Sequence, residues 1–212
     1  MDRIVVFGGT FNPVHNGHMY LAQQFENLLK AQRVLLIPTF VPPHKRVPDL
    51  ASAKDRLAMC RLACAETTYE ASDLEIRRGG ASYTSDTLLE LKRENPDAEI
   101  YFITGEDMFL TLDRWHESEQ IYSLATICAA PRSEDGLERL QAYADRLKKR
   151  GAKVILQNID YLPISSTMVR HAVQQGRDIS ALVPSGVAQY IEENGLYRNE
   201  TDDTEEKKEA VK

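Results

Sequence analysis

Short, nearly unbroken apolar runs alternate along the chain with longer segments whose apolar residues recur every three or four positions. The runs are RIVVF (Arg3–Phe7), RVLLIP (Arg33–Pro38), LEIR (Leu74–Arg77), EIYFIT (Glu99–Thr104), ATICAA (Ala125–Ala130) and KVILQN (Lys153–Asn158). A strand with one face in water alternates apolar and polar residues, whereas a strand covered on both faces need not. These runs therefore predict a parallel sheet. Between the first two, Leu21, Phe25, Leu28 and Leu29 form one stripe at helical spacing, so strand, helix and strand imply a right-handed crossover. Further helices are predicted over Ser52–Thr67, where Ser52 and Asp55 have capping-box spacing, and over Ser85–Asn95, stopped by Pro96. A last one falls within Pro184–Tyr197, with Gly195 just past its end.

The fold class this implies is α/β: a Rossmann-like, doubly wound parallel sheet with helices on both faces, in a single domain over residues 1–198. The stretch Asn199–Lys212 is charged and poor in apolar residues, and it reads as a disordered tail. At 212 residues the chain is long enough for one well-filled core, and 42% hydrophobic with 27% charged residues excludes collagen-like, disordered and membrane-embedded classes.

Charge narrows the partners. Half of the net charge of -6 comes from the tail, with six acids against three bases, which leaves a mildly acidic body. A protein that holds long polynucleotides by neutralising phosphates carries a basic surplus, so no nucleic-acid partner is predicted; a small anion needs only a few local donors. The N-terminal apolar run is too short for a signal sequence or a span, so no membrane partner is expected either. Three cysteines fit a reducing, cytoplasmic setting. Cys60 and Cys64, four apart on a predicted helix, read as small apolar packing, since no second pair completes a metal site. A homo-oligomer is left open.

The chemistry concentrates in GGTFNPVHNGH (Gly8–His18), directly after the first strand. Ligands of open parallel sheets bind beyond the carboxyl ends of the strands, and the first strand-to-helix turn is the usual phosphate site. Gly8 and Gly9 allow close backbone approach, and the following helix start offers unpaired N–H groups. The stretch matches neither the P-loop nor the dinucleotide fingerprint. It adds His15 and His18, three apart on one helix face, whose imidazoles suit the oxygens of one polyphosphate and the charge that develops as pyrophosphate leaves. The competing readings are a zinc pair, with a third ligand from as far away as His44 or His116, and histidines that merely cap a helix. ISSTMVR (Ile164–Arg170) adds Ser165, Ser166 and Thr167 at a predicted helix start and Arg170 one turn later, read either as a phosphate cradle or as a plain cap.

Other candidates are single residues. Lys45 lies in the proline-stiffened VPPHKR loop and is either a point charge for a phosphate or a solvated lysine. Thr84 opens the helix after GGASY, where free N–H groups suit a carboxylate, with Tyr83 and Asp86 as weaker companions. Trp115, the only tryptophan, stands among charges in LDRWHESE and suits stacking on a flat ring. Gly105 and Asp107 end the fourth strand, where an acid commonly receives ribose hydroxyls; Arg132 is a looser phosphate or base candidate.

GGTFNPVHNGH and ISSTMVR resemble the two ATP motifs of nucleotidyltransferases. PPHK (Pro42–Lys45), SYTSDTL (Ser82–Leu88), GEDM (Gly105–Met108), RWHE (Arg114–Glu117) and the NGLY ending resemble, in order, segments of the bacterial nicotinate mononucleotide adenylyltransferases. The resemblance spans Gly8–Arg170 and implies transfer of the adenylyl group of ATP to the 5′-phosphate of nicotinate mononucleotide, with Mg²⁺ arriving with ATP. It implies Gly8, Gly9, Thr10, Phe11, His15, His18, Gly105, Asp107, Ile164, Ser165, Ser166, Thr167 and Arg170 around ATP, with His15, His18 and Arg170 catalytic. It implies Lys45, Tyr83, Thr84, Trp115 and His116 around nicotinate mononucleotide: the ring on Trp115, its carboxylate on the N–H groups of Thr84 and His116. Glu106 departs from the small residue common in the family. Pantetheine-phosphate and glycerol-phosphate nucleotidyl transfer, a nucleotide sensor and an RNA-binding module are the rival readings.

Overall fold

The computed structural model describes residues 2–43, 49–132 and 136–198. Lys45 and His44, and the tail Asn199–Lys212, lie outside the described residues. Among those described, six parallel strands form one sheet in the order β3-β2-β1-β4-β5-β6. They are β1 (Arg3–Gly9), β2 (Arg33–Pro38), β3 (Glu70–Ala71), β4 (Glu99–Thr104), β5 (Thr126–Ala129) and β6 (Lys153–Leu156). The helices are α1 (Asn16–Leu29), α2 (Ala53–Cys64), α3 (Leu74–Arg78), α4 (Thr84–Glu94), α5 (Glu106–Phe109), α6 (Ser118–Leu124), α7 (Gly136–Lys149), α8 (Ser166–Gln174) and α9 (Ser185–Glu193).

Five of the six apolar runs are strands; β1, β2, β4 and β5 are largely buried, as their pattern predicts, and the edge strand β6 is half-buried. Ile4, Val6, Ile37, Ile100, Phe102 and Ile127 point into one core layer with Leu88 and Leu91 of α4, Ile121 of α6 and Leu140 and Leu147 of α7. Val5, Phe7, Leu36, Ile103 and Cys128 point into the other, with Phe25 and Leu29 of α1, Met59 and Cys60 of α2 and Val187 and Ile191 of α9. Alternate strand residues feed opposite layers, so the sheet is the partition between two cores. Cys60 and Cys64 are free and buried, and burial pushes both thiols up, so they pack as apolar groups. Among the described residues no helix is long and apolar enough to cross a membrane.

One predicted strand is a helix. LEIR forms α3, and the third strand is the two-residue pair Glu70–Ala71 just before it. The Ser72 N–H still bonds to the Leu36 carbonyl, and then the Ser72 hydroxyl accepts the Leu74 N–H and turns the chain. A four-residue apolar run carries too few positions to separate strand from helix period, and the Ser-Asp pair before it is a turn signal. The predicted caps hold: Ser52 accepts the Asp55 N–H, and Gly195 lies in the left-handed region two residues past α9. The strand order reverses direction of growth between β1 and β4, so the crevice of the sheet opens beyond Gly9 and Thr104.

Candidate active site

β1 runs through Gly8 and Gly9, so the glycines close the strand and the turn proper is Thr10–His15, a correction to their predicted place. The turn explains the second glycine. Phe11 adopts φ 47, unusual for an L residue, and its ring folds back so that a Cβ on Gly9 would lie 3.1 Å from it. The Asn12–Pro13 peptide is cis. Asn12 ties the turn outward: its Oδ1 accepts the Ala51 N–H and the Tyr197 hydroxyl, and its Nδ2 donates to the Asp49 carbonyl. Arg56 supports it from beneath. Only 1% exposed, Arg56 donates to the carbonyls of Thr10, Phe40 and Ala51.

His15 is the N-cap of α1 and His18 its third residue. The His15 N–H donates to His18 Nδ1 at 3.2 Å, which places the proton of a neutral His18 on Nε2, as a donor. The two rings stack with centroids 3.6 Å apart, and His18 packs edge-on against Phe7 and Phe11. Burial, helped by the nearby Arg132 charge, lowers the His15 pKa to about 4, so His15 is neutral near pH 7.

The second hydroxyl-rich motif docks on this turn. Ser165 caps α8 by accepting the Met168 N–H, Ser166 donates to the Pro13 carbonyl at 2.9 Å, and buried Arg170 donates to the Asn12 carbonyl at 2.9 Å. Thr167 Oγ1 lies 3.5 Å from Arg170 Nη2. The carbonyl of Ile164 approaches Gly17, where a Cβ would stand 3.5 Å away. Beyond β4, Gly105 admits Arg132, whose Nη2 would lie 3.2 Å from a Cβ at that position. Arg132 pairs with exposed Asp107 at 3.0 Å. Glu106 turns inward and accepts the Arg132 N–H at 2.6 Å and the Arg139 guanidinium. Burial alone would raise its carboxyl; those two donors hold it below the ordinary range.

Two clefts open here. The first, about 910 Å³, is lined by His15, His18, Arg132, Tyr161 and Ile164 among others. The second, about 700 Å³, is lined by Thr84, Trp115, Thr39, Glu75 and Ser82 among others. Gly8, Gly9, Gly105 and Met108 line both, so the clefts meet over the glycine floor. In the second, Thr84 begins α4 and presents its unpaired first-turn N–H groups. Trp115 lies edge-on to Phe102, with its indole N–H on Thr111 Oγ1. The rings of Tyr83 and exposed His116 lie tilted against each other with centroids 4.2 Å apart, and neither residue lines either cleft. Asp86 is exposed on α4 and lines neither cleft.

Arg56 and Glu75 belong to this architecture without a sequence prediction. Arg56 stands four residues before Cys60 and seven before Ala63 on the buried face of α2, a legible anomaly. Glu75 gave no such signal, because its partner Thr87 lies twelve residues away on another helix. The imidazoles of His15 and His18 and the guanidinium of Arg132 are donors lining the first cleft. That set fits an anion that carries its own cation, and among the described residues no cluster of three or more His, Cys, Asp or Glu could hold a metal.

The family model described as Cytidylyltransferase-like matches residues 6–172. The chain is 41% identical over 198 residues to a probable nicotinate-nucleotide adenylyltransferase of Synechococcus sp. (strain JA-3-3Ab), covering 92% of this chain and 94% of that protein. It is 39% identical over 194 residues to a protein of the same description from Dehalococcoides mccartyi (strain CBDB1), covering 91% and 95%. Among solved structures, Plasmodium falciparum nicotinic acid mononucleotide adenylyltransferase complexed with NaAD superposes with a TM-score of 0.74 at 21% identity, over 93% of this chain and 98% of that one. At that identity the likeness shows the shared fold.

Proposed function

Because the chain belongs to the nicotinate-nucleotide adenylyltransferase family of Cytidylyltransferase-like proteins, we infer that it transfers the adenylyl group of ATP to the 5′-phosphate of nicotinate mononucleotide. The products are nicotinate adenine dinucleotide and pyrophosphate, in NAD biosynthesis and, on this reading, in the cytoplasm. The observation that carries the reading is the shared glycine floor, which lets two nucleotides lie in separate clefts with their phosphates meeting over Gly8, Gly9 and Gly105.

The reaction asks for positioning and charge stabilisation. An oxygen of the acceptor phosphate attacks the α-phosphorus of ATP in line, and the bond to the β-phosphate oxygen breaks as pyrophosphate leaves with the electron pair. The attacking oxygen is already anionic near neutral pH, so no general base is required. His18 offers its Nε2–H to the triphosphate and neutral His15 stands beside it, with Ser165, Ser166, Thr167 and Arg170 completing the cradle. Mg²⁺ bound to the phosphates supplies charge neutralisation there.

Asp107 receives the ribose of ATP once Arg132 swings from it toward phosphate or base. In the second cleft the pyridine ring lies on Trp115 near Thr84, and on this reading its carboxylate meets the N–H groups at Thr84 and at His116, whose ring lies against that of Tyr83. Lys45 takes the acceptor phosphate in this reading. Pyrophosphate release with ATP and Mg²⁺ tests it against three acceptors. Nicotinate mononucleotide is expected to support release, nicotinamide mononucleotide far less and phosphopantetheine none; release with phosphopantetheine alone would keep the ATP cleft and remove this substrate.

A further inference from the structure

The second cleft holds a carboxylic acid that the transfer reaction does not use. Glu75 is 4% exposed and lines the cleft with Thr84 and Trp115. Its Oε1 is held by the Thr87 hydroxyl at 2.7 Å, and the Ser82 hydroxyl leans on the same carboxyl. Its Oε2 is buried without a hydrogen-bond partner among the described residues, as is Oγ1 of Thr39 in the same cleft. Ser82 and Thr87 flank Tyr83 and Thr84, so the carboxyl braces, from both sides, the turn whose N–H groups face the cleft.

A charge at this position acts on any charge in the cleft. The groups facing Glu75 are the Ser82 and Thr87 hydroxyls, Arg78 on its own helix and Arg56 from α2. Arg78 is drawn off by Glu90 of α4 and donates to Thr87 Oγ1, and Arg56 is committed to three carbonyls, so neither forms an ion pair with Glu75. Outside the lining of the cleft, the His116 imidazole lies tilted against the Tyr83 ring.

We propose that Glu75 is a specificity-determining positioning residue: as a neutral acid it lets the N–H groups at the start of α4 hold a carboxylate on the pyridine ring, and as an anion it turns the cleft toward a carboxamide. Burial pushes the Glu75 carboxyl up, which favours the neutral form. An ionised Glu75 would set like charges in one low-dielectric pocket, a penalty that a neutral carboxamide does not incur. The inference rests on the nicotinate reading above.

The test is the ratio of kcat/KM for nicotinate over nicotinamide mononucleotide, measured upward from pH 4.5, the ordinary carboxylate value above which burial moves Glu75, to about pH 8. Titration of the 5′-phosphate is common to both substrates and cancels in the ratio. In the wild type the ratio is expected to fall by about tenfold or more as pH rises, carried by KM for the acid. Glu75→Gln keeps the shape without the charge, so its ratio stays flat and in favour of the acid. Thr87→Val removes a hydroxyl that stabilises the anion, so the fall moves to higher pH. A flat wild-type ratio overturns the proposal even if Glu75→Gln does not fold, as does a Glu75→Gln slope equal to the wild type's. No turnover of the acid at any pH would instead sink the substrate reading beneath it.

Discussion

Arg170 Nη1 donates to the backbone carbonyl of Asn12 at 2.9 Å, joining the start of α8 to the turn after β1. The two stretches are 158 residues apart in sequence, and the proposed phosphate cradle needs both. Ser166, bonded to the Pro13 carbonyl, is the second tie. Arg170→Ala is expected to lower stability by about 1–3 kcal/mol, from a buried carbonyl left unpaired, and turnover by about a hundredfold. Urea unfolding and steady-state kinetics separate the two effects; a stability loss with unchanged turnover would make Arg170 only a fastener.

His15 links the site to pH. Its folded pKa, about 4, lies below the ordinary histidine value of 6.5, so between those values the unfolded chain takes a proton that the folded chain refuses. The stabilisation from keeping His15 neutral is full above about pH 6.5 and is lost as pH falls toward 4. The loss amounts to about 3 kcal/mol. Glu75, held up by burial, contributes in the opposite sense over the acid range, so the comparison has to be between wild type and His15→Gln. The variant is expected to lose less stability between pH 7 and pH 4.5, as followed by thermal unfolding. Equal acid sensitivity would place a charged imidazole at position 15.

Arg56 carries the turn from behind, with its three carbonyl acceptors on three different segments. Arg56→Ala leaves all three unpaired and opens a cavity, for an expected loss of about 3–5 kcal/mol in chemical denaturation. Because Thr10 is one of the three, activity is expected to fall even where the variant is still folded. A variant of wild-type stability would show that water replaces the guanidinium.

The sequence exposed what depends on local periodicity and hid what depends on long-range pairing. Five of the six strands, the caps at Ser52 and Ser165 and the histidine pair at the start of α1 were legible, because each is written within a few residues. LEIR was misread because four residues do not define a period, while α7, whose Leu140, Ala144 and Leu147 follow helical spacing, was legible and unassigned. The Arg170–Asn12 tie, the Glu75–Thr87 bond and the inward turn of Glu106 each join residues brought together only by the sheet. Glu106, a departure from the family pattern on sequence, lines the first cleft and anchors Arg132 and α7 through its carboxylate.

Trp115, at the wall of the second cleft, is fixed by its bond to Thr111 and by the edge of Phe102. Trp115→Ala is expected to raise KM for nicotinate mononucleotide about tenfold to a hundredfold while KM for ATP changes little, since aromatic stacking contributes about 1–3 kcal/mol. Trp115→Phe is expected to recover most of the loss. Equal effects on both substrates would move Trp115 out of the acceptor cleft.

Direct transfer between two nucleotides meeting over Gly8, Gly9 and Gly105 is tested most directly by rapid-quench turnover with ATP labelled at the α-phosphorus. Label passing straight from ATP into nicotinate adenine dinucleotide, with none precipitating with the protein at any time, is the predicted result. Label held transiently on the protein, as on His15 or His18, would contradict it.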